Sequence, residues 1–77
     1  MTRLPLLDAA KAEKALFNLG FEKVRQKGRH AFYRHPDGRT TTLPHHKGRD
    51  LSRSFMRQVL REIEVTPDDF ISALERK

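Results

Sequence analysis

The chain has 77 residues, of which 36% are apolar and 34% charged, and 16 Lys and Arg against 10 Asp and Glu give a formal net charge of +6. Without cysteine, disulfides, thiolate metal sites and thiol catalysis are excluded. No apolar run approaches the ~20 residues that cross a bilayer and no secretory apolar stretch opens the sequence, so one small cytoplasmic domain over residues 1–77 is expected, near the size at which a single core just suffices.

The first element is a helix from Asp8 to Leu19. Asp8 is placed as its N-cap, Ala9, Ala12, Leu16 and Leu19 recur at helical spacing, Lys11 and Lys14 face out, and Phe17 widens the apolar stripe. Gly20 stands where a helix end wants a left-handed residue. Three extended segments follow: Phe21 to Gln26, His30 to His35, and Arg39 to Leu43. They are joined by Lys27-Gly28 and by the strong hairpin signal Pro36-Asp37-Gly38. Pro44 closes the third strand, and a polar loop runs from His45 to Asp50. A second helix starts near Ser52 with Phe55, Met56, Val59, Leu60 and Ile63 on one face. Thr66-Pro67-Asp68-Asp69 opens a third, with Phe70, Ile71 and Leu74 to bury. The order α-β-β-β-α-α predicts an α+β fold, an antiparallel three-stranded sheet with helices on one face and the other face left for solvent or a ligand.

The charge is local. Residues 21–49 hold eight Lys and Arg against Glu22 and Asp37, and all four histidines lie there too. The rest of the chain is balanced, so a phosphate-bearing partner, nucleic acid first, is the expected ligand. Within this segment His30 follows Gly28-Arg29 at a strand start, where glycine lets backbone come close to a substrate and arginine can hold a phosphate. Two readings stand for it: a general base, or a strand histidine satisfied by a neighbour, the commoner use of such a residue. His35 suits turn packing. His45 and His46 are adjacent and point apart in an extended loop, and one of them could meet His30 across the sheet. A zinc site needs three spaced ligands with acidic support, and the segment offers only Asp37 and Asp50, so no metal and no cofactor are expected. Of Phe32 and Tyr33, one should enter the core and the other could stack on a base from the open face. Arg53, Arg57 and Arg61 form a helical stripe that an anion would relieve or that is simply solvated. A basic, histidine-bearing sheet without a nucleophile suits RNA, whose 2′-hydroxyl supplies one.

Taken in order, Leu19-Gly20-Phe21, Gly28-Arg29-His30, Pro36-Asp37-Gly38, Pro44-His45-His46 and the start Thr66 to Phe70 resemble the HicA toxins, small mRNA interferases of bacterial toxin–antitoxin systems. The likeness spans about residues 8 to 74. It implies a fold like that of double-stranded-RNA-binding domains and metal-independent mRNA cleavage that blocks translation. His30 would be the catalytic histidine, and Lys27, Gly28, Arg29, Arg34, His46 and Lys47 would contact RNA. A HicB-type antitoxin would cover the His30 face, the toxin being a monomer when free and part of a hetero-oligomer when bound. Two positions depart from the family pattern: Arg29 stands where serine is usual, and Glu64 where the second helix commonly ends in glycine.

Overall fold

The computed structural model describes residues 4–76, in the order β1 (Leu7–Asp8), α1 (Ala9–Asn18), β2 (Glu22–Lys27), β3 (His30–Arg34), β4 (Thr40–Pro44), β5 (Asp50–Leu51), α2 (Arg53–Ile63) and α3 (Pro67–Glu75). Each helix starts on a side chain that satisfies a free backbone N–H. The Asp8 carboxylate accepts from the Lys11 N–H at 2.9 Å, Ser52 Oγ from Phe55 at 3.1 Å and Thr66 Oγ1 from Asp69 at 3.1 Å. Pro67 supplies a first-turn residue that needs no N–H, and Asp68 and Asp69 face the positive end of the α3 dipole.

The helix ends differ. After α1, Gly20 is left-handed at φ +98°, its N–H donates to the Phe17 carbonyl at 3.0 Å, and the Phe21 N–H donates to that of Leu16 at 2.9 Å. This pair of bonds satisfies two orphan carbonyls and turns the chain into β2. A β-carbon on Gly20 would also stand 3.0 Å from His35 Nε2, so both the backbone and the space demand glycine. After α2, the left-handed position is taken by Glu64 at φ +56°, the one non-glycine with positive φ among the described residues. Glu64→Gly is therefore expected to stabilise the fold by about 0.5–1 kcal/mol, read as a rise of a few degrees in Tm. An unchanged or lower Tm would mean that the Glu64 side chain offsets this backbone cost.

The main sheet runs β2-β3-β4, antiparallel throughout. Ala31, Tyr33, Thr41 and Leu43 point toward the helices and are buried, while His30, Phe32, Arg34, Thr40 and Thr42 lie on the open face. Tyr33 is thus the aromatic that enters the core and Phe32 the one left outside. Edge strand β2 carries a bulge at Val24, between the pairs Lys23–Tyr33 and Arg25–Phe32. Without the extra residue, Lys23 and Arg25 would share a face. With it, Lys23 turns to the helix side and Arg25 to the open side, where its guanidinium lies 4.9 Å from the Phe32 ring centre.

The strand limits shift by a residue from expectation: β2 and β4 reach Lys27 and Pro44, and β3 stops at Arg34. Pro44 is tolerated because β4 is an edge strand at its last residue. The polar loop also ends in a strand that the pattern did not reveal, since β5 pairs with β1 as Leu7–Leu51 and Asp8–Asp50. The core joins Leu16, Tyr33, Leu43, Met56, Ile63 and Phe70 in one cluster. Phe17 does not join it; it is 46% exposed and meets Tyr33 edge-on at 6.2 Å. Thr41 donates to Glu62 at 2.8 Å, and Arg39 Nη1 donates to the Ile63 carbonyl, so β4 and the turn before it are tied to the C-terminal end of α2.

Candidate functional site

His30 opens β3, opposite Lys27 of β2 on one side and Pro44 of β4 on the other. It is exposed, and among the described residues nothing bonds to its ring. Gly28, left-handed at φ +58° with open space around it, makes the two-residue turn that delivers Arg29 and His30. One long-range bond joins this corner to the loop after β4: the His45 N–H donates to the Arg29 carbonyl at 2.6 Å. Lys27, Gly28, Arg29 and His30 are thereby brought beside the loop that carries His46 and Lys47. Arg34 shares the open face with His30 but stands four residues along β3, about 13 Å away at strand spacing.

Charge is arranged to leave this corner cationic. Within the basic segment, Lys23 pairs with Glu13 at 3.3 Å and Arg39 with Asp37 at 2.8 Å. Lys27, Arg29, Arg34, Lys47 and Arg49 have no ion-pair partner among the described residues. With Arg25, which only lies over the Phe32 ring, six of the eight cations of residues 21–49 carry no ion pair among the described residues, which leaves the segment strongly positive. Arg53 leaves the proposed arginine stripe, because its Nε donates to the Leu4 carbonyl at 2.9 Å and fastens the N-terminal segment to α2. Asp37 is held below the usual carboxylate range, first by the Arg39 side chain and then by the Arg39 backbone N–H. His35 belongs to this turn: its Nδ1 accepts from the Asp37 N–H at 3.2 Å and its ring packs edge-on against Phe21.

His45 does not meet His30. Pro44 pairs with His30, so the next residue along the strand direction turns to the opposite side of the sheet. There the His45 ring Nε2 lies 2.8 Å from the Tyr33 hydroxyl and 3.5 Å from Glu13 Oε2, and the Tyr33 hydroxyl itself donates to Glu13. No one-dimensional signal marked Glu13, a residue in mid-helix between an alanine and a lysine. His46 remains exposed in the loop, which with the start of α1 bounds a cavity of about 280 Å³ lined by Asp8, Ala9, Ala10, His45, His46, Lys47 and Gly48. A larger hollow of about 550 Å³, between α2 and α3, is lined by none of the candidate site residues. Among the described residues, no three His, Asp or Glu side chains gather as metal ligands.

Tyr33 is the chain's single tyrosine and is fully buried. Burial, then its hydrogen bond to Glu13, then the Glu13 charge, push its ionisation well above the ordinary tyrosine range. A group whose folded pKa is raised contributes stability that is complete below its unfolded value, about 10, and is lost as pH climbs toward the folded one. Phenolate absorbance of the folded protein should therefore stay near zero at pH ~10, where a free tyrosine is half ionised. Stability should fall as pH rises above that. Half-ionisation at pH ~10 in the folded protein would show that the hydroxyl is not held in this way.

With the geometry in view, comparison with known families is decisive: the family model described as "HicA toxin of bacterial toxin-antitoxin" matches residues 9–65. The chain belongs to the HicA toxin family. The match runs from the first residue of α1 to just past α2, and α3 follows it. No curated protein sequence matches the chain. This HicA-family toxin is one half of a toxin–antitoxin pair, and its run α1-β2-β3-β4-α2, with β5 before α2, roughly follows the order of the double-stranded-RNA-binding type. No helix among its described residues is long and apolar enough to cross a membrane.

Proposed function

We propose that this HicA-family chain is an mRNA interferase, an endoribonuclease that cuts the RNA phosphodiester with His30 as general base. The observation that carries the reading is an exposed, unpartnered His30 at a glycine turn, flanked by the free cations Lys27 and Arg29 and joined through the Arg29 carbonyl to the His46-Lys47 loop. His30 takes the proton of a ribose 2′-hydroxyl, and that oxygen attacks the adjacent phosphorus. The bond from phosphorus to the 5′-oxygen breaks, and the leaving oxygen takes up a proton from water or from His46. The products are a 2′,3′-cyclic phosphate and a 5′-hydroxyl. Lys27, Arg29 and Lys47 neutralise the charge that builds on the phosphoryl oxygens, the Gly28 backbone lets the strand approach, and Arg34 and Phe32 hold flanking nucleotides on the open face. No metal enters this scheme, because the substrate brings its own nucleophile.

In the cell the toxin would act as a cytoplasmic monomer that stops translation. A HicB-type antitoxin would form a hetero-oligomer with it and cover the His30 face. The direct test is incubation of the purified chain with a long mRNA in EDTA. Cut RNA supports the interferase reading. RNA that is bound but left intact would leave a non-catalytic RNA-binding module of the same fold.

A further inference from the structure

The polar cluster behind the sheet is unused by this mechanism, yet it ties together four elements next to the catalytic corner. Glu13 comes from α1, Lys23 from β2, Tyr33 from β3 and His45 from the residue after β4. The Tyr33 hydroxyl gives its only proton to Glu13, so its oxygen can only accept from His45. His45 Nε2 must then carry a hydrogen, which it does both as the imidazolium and as one neutral tautomer. Lys23 and Glu13 fix the other end of this link. On the same residue, the backbone N–H of His45 donates to the Arg29 carbonyl, directly before His30.

From this geometry we propose that Glu13 and Tyr33 are positioning residues which, by gripping the His45 ring, hold the Arg29-His30 corner in its cutting geometry. The proposal rests on the ribonuclease reading for its kinetic consequence, although the grip itself is a property of the folded chain. The ring of His45 is pulled to the helix side and its amide is thereby aimed at the turn. Releasing the ring frees the β4 end and with it the carbonyl that precedes the base. Small misplacements of a catalytic base cost rate far more than affinity.

Tyr33→Phe tests this, since it keeps the buried ring and removes only the hydroxyl. Three results are expected in the folded variant: kcat on RNA lower on the order of tenfold, unchanged binding of an uncleavable 2′-deoxy substrate analogue, and faster hydrogen exchange at the His45 amide. The NMR signature of His45 should also lose its fixed Nε2–H tautomer. Glu13→Ala should reproduce these changes, while Glu13→Gln, which keeps an acceptor oxygen, should retain most of the rate. A Tyr33→Phe protein that cleaves at the parental rate, or whose His45 amide exchanges as before, overturns the proposal. So does a rate loss that simply tracks a lower Tm. Were the parent chain itself to cut no RNA, the interferase reading would fall, and the grip would still be judged by the His45 amide and tautomer in the two proteins.

Discussion

His30→Ala is expected to lower RNA cleavage by about 10²–10⁴-fold while leaving RNA binding within about twofold of the parent, because a general base contributes on that scale to rate and little to affinity. The separation follows from where the groups stand. His30 is exposed and its ring is bonded to nothing among the described residues, so its removal opens no cavity and leaves no buried polar atom unsatisfied. The proposed grip on phosphate rests on Lys27, Arg29 and Lys47, which the substitution does not touch. Arg29→Ala should show the reverse balance, with weaker binding and a salt dependence shallower by about one phosphate contact. Gel-based cleavage and fluorescence binding on the same RNA would read both variants. Parental cleavage by the His30→Ala protein would remove His30 from the chemistry.

Phe70→Ala is expected to cost about 3–5 kcal/mol, a large share of the roughly 4–12 kcal/mol that a domain of this length commands. Phe70 lies in α3, beyond the stretch matched by the family model, as an appendage would. Its packing argues otherwise. Phe70 is 0% exposed, Ala73 likewise, and both sit in the same cluster as Leu16 of α1 and Ile63 of α2. Polar bonds reinforce the contact: Asn18 Nδ2 donates to the Ala73 carbonyl at 2.8 Å and Arg76 Nη1 to that of Asn18 at 3.0 Å. α3 thus closes the open side of α1, and a chain of this size has no second core to fall back on. Urea denaturation would show the loss as a lower midpoint at similar slope. A cost below about 1 kcal/mol would mean that the site collapses around the missing ring and that α3 is dispensable.

Much of this was legible in the sequence where the signal is local. Asp8, Ser52 and Thr66 declare helix starts because a cap acts within three residues of itself, and Pro36-Asp37-Gly38 declares its turn for the same reason. The helix-facing role of alternate strand residues was legible too, although which of Phe32 and Tyr33 entered the core depended on a register that only pairing sets. What stayed hidden is long-range or a single residue wide. The β1–β5 pair is two residues long, too short for any periodicity, and joins positions 44 apart at Leu7 and Leu51 and 42 apart at Asp8 and Asp50. The Val24 bulge is one extra residue, and it decides the faces of Lys23 and Arg25. Glu13, Tyr33 and His45 meet only after three elements have packed, so the helix pattern showed Glu13 as one more polar residue. Of the candidate site, the turn Lys27 to His30 and the loop His46-Lys47 lie side by side, Arg34 stands apart on the same face, and His45 faces away from His30 for a reason that strand alternation contains.

On the proposed mechanism, His30 activates the RNA's own 2′-hydroxyl. The measurement that meets it most directly is cleavage of an RNA carrying one 2′-deoxyribose at a mapped cut site, compared with its all-ribose parent. Cutting is expected to stop at the substituted position while binding and cutting elsewhere persist, with 2′,3′-cyclic phosphate ends at the remaining sites. Continued cutting at the deoxy position, leaving a 5′-phosphate, would contradict it.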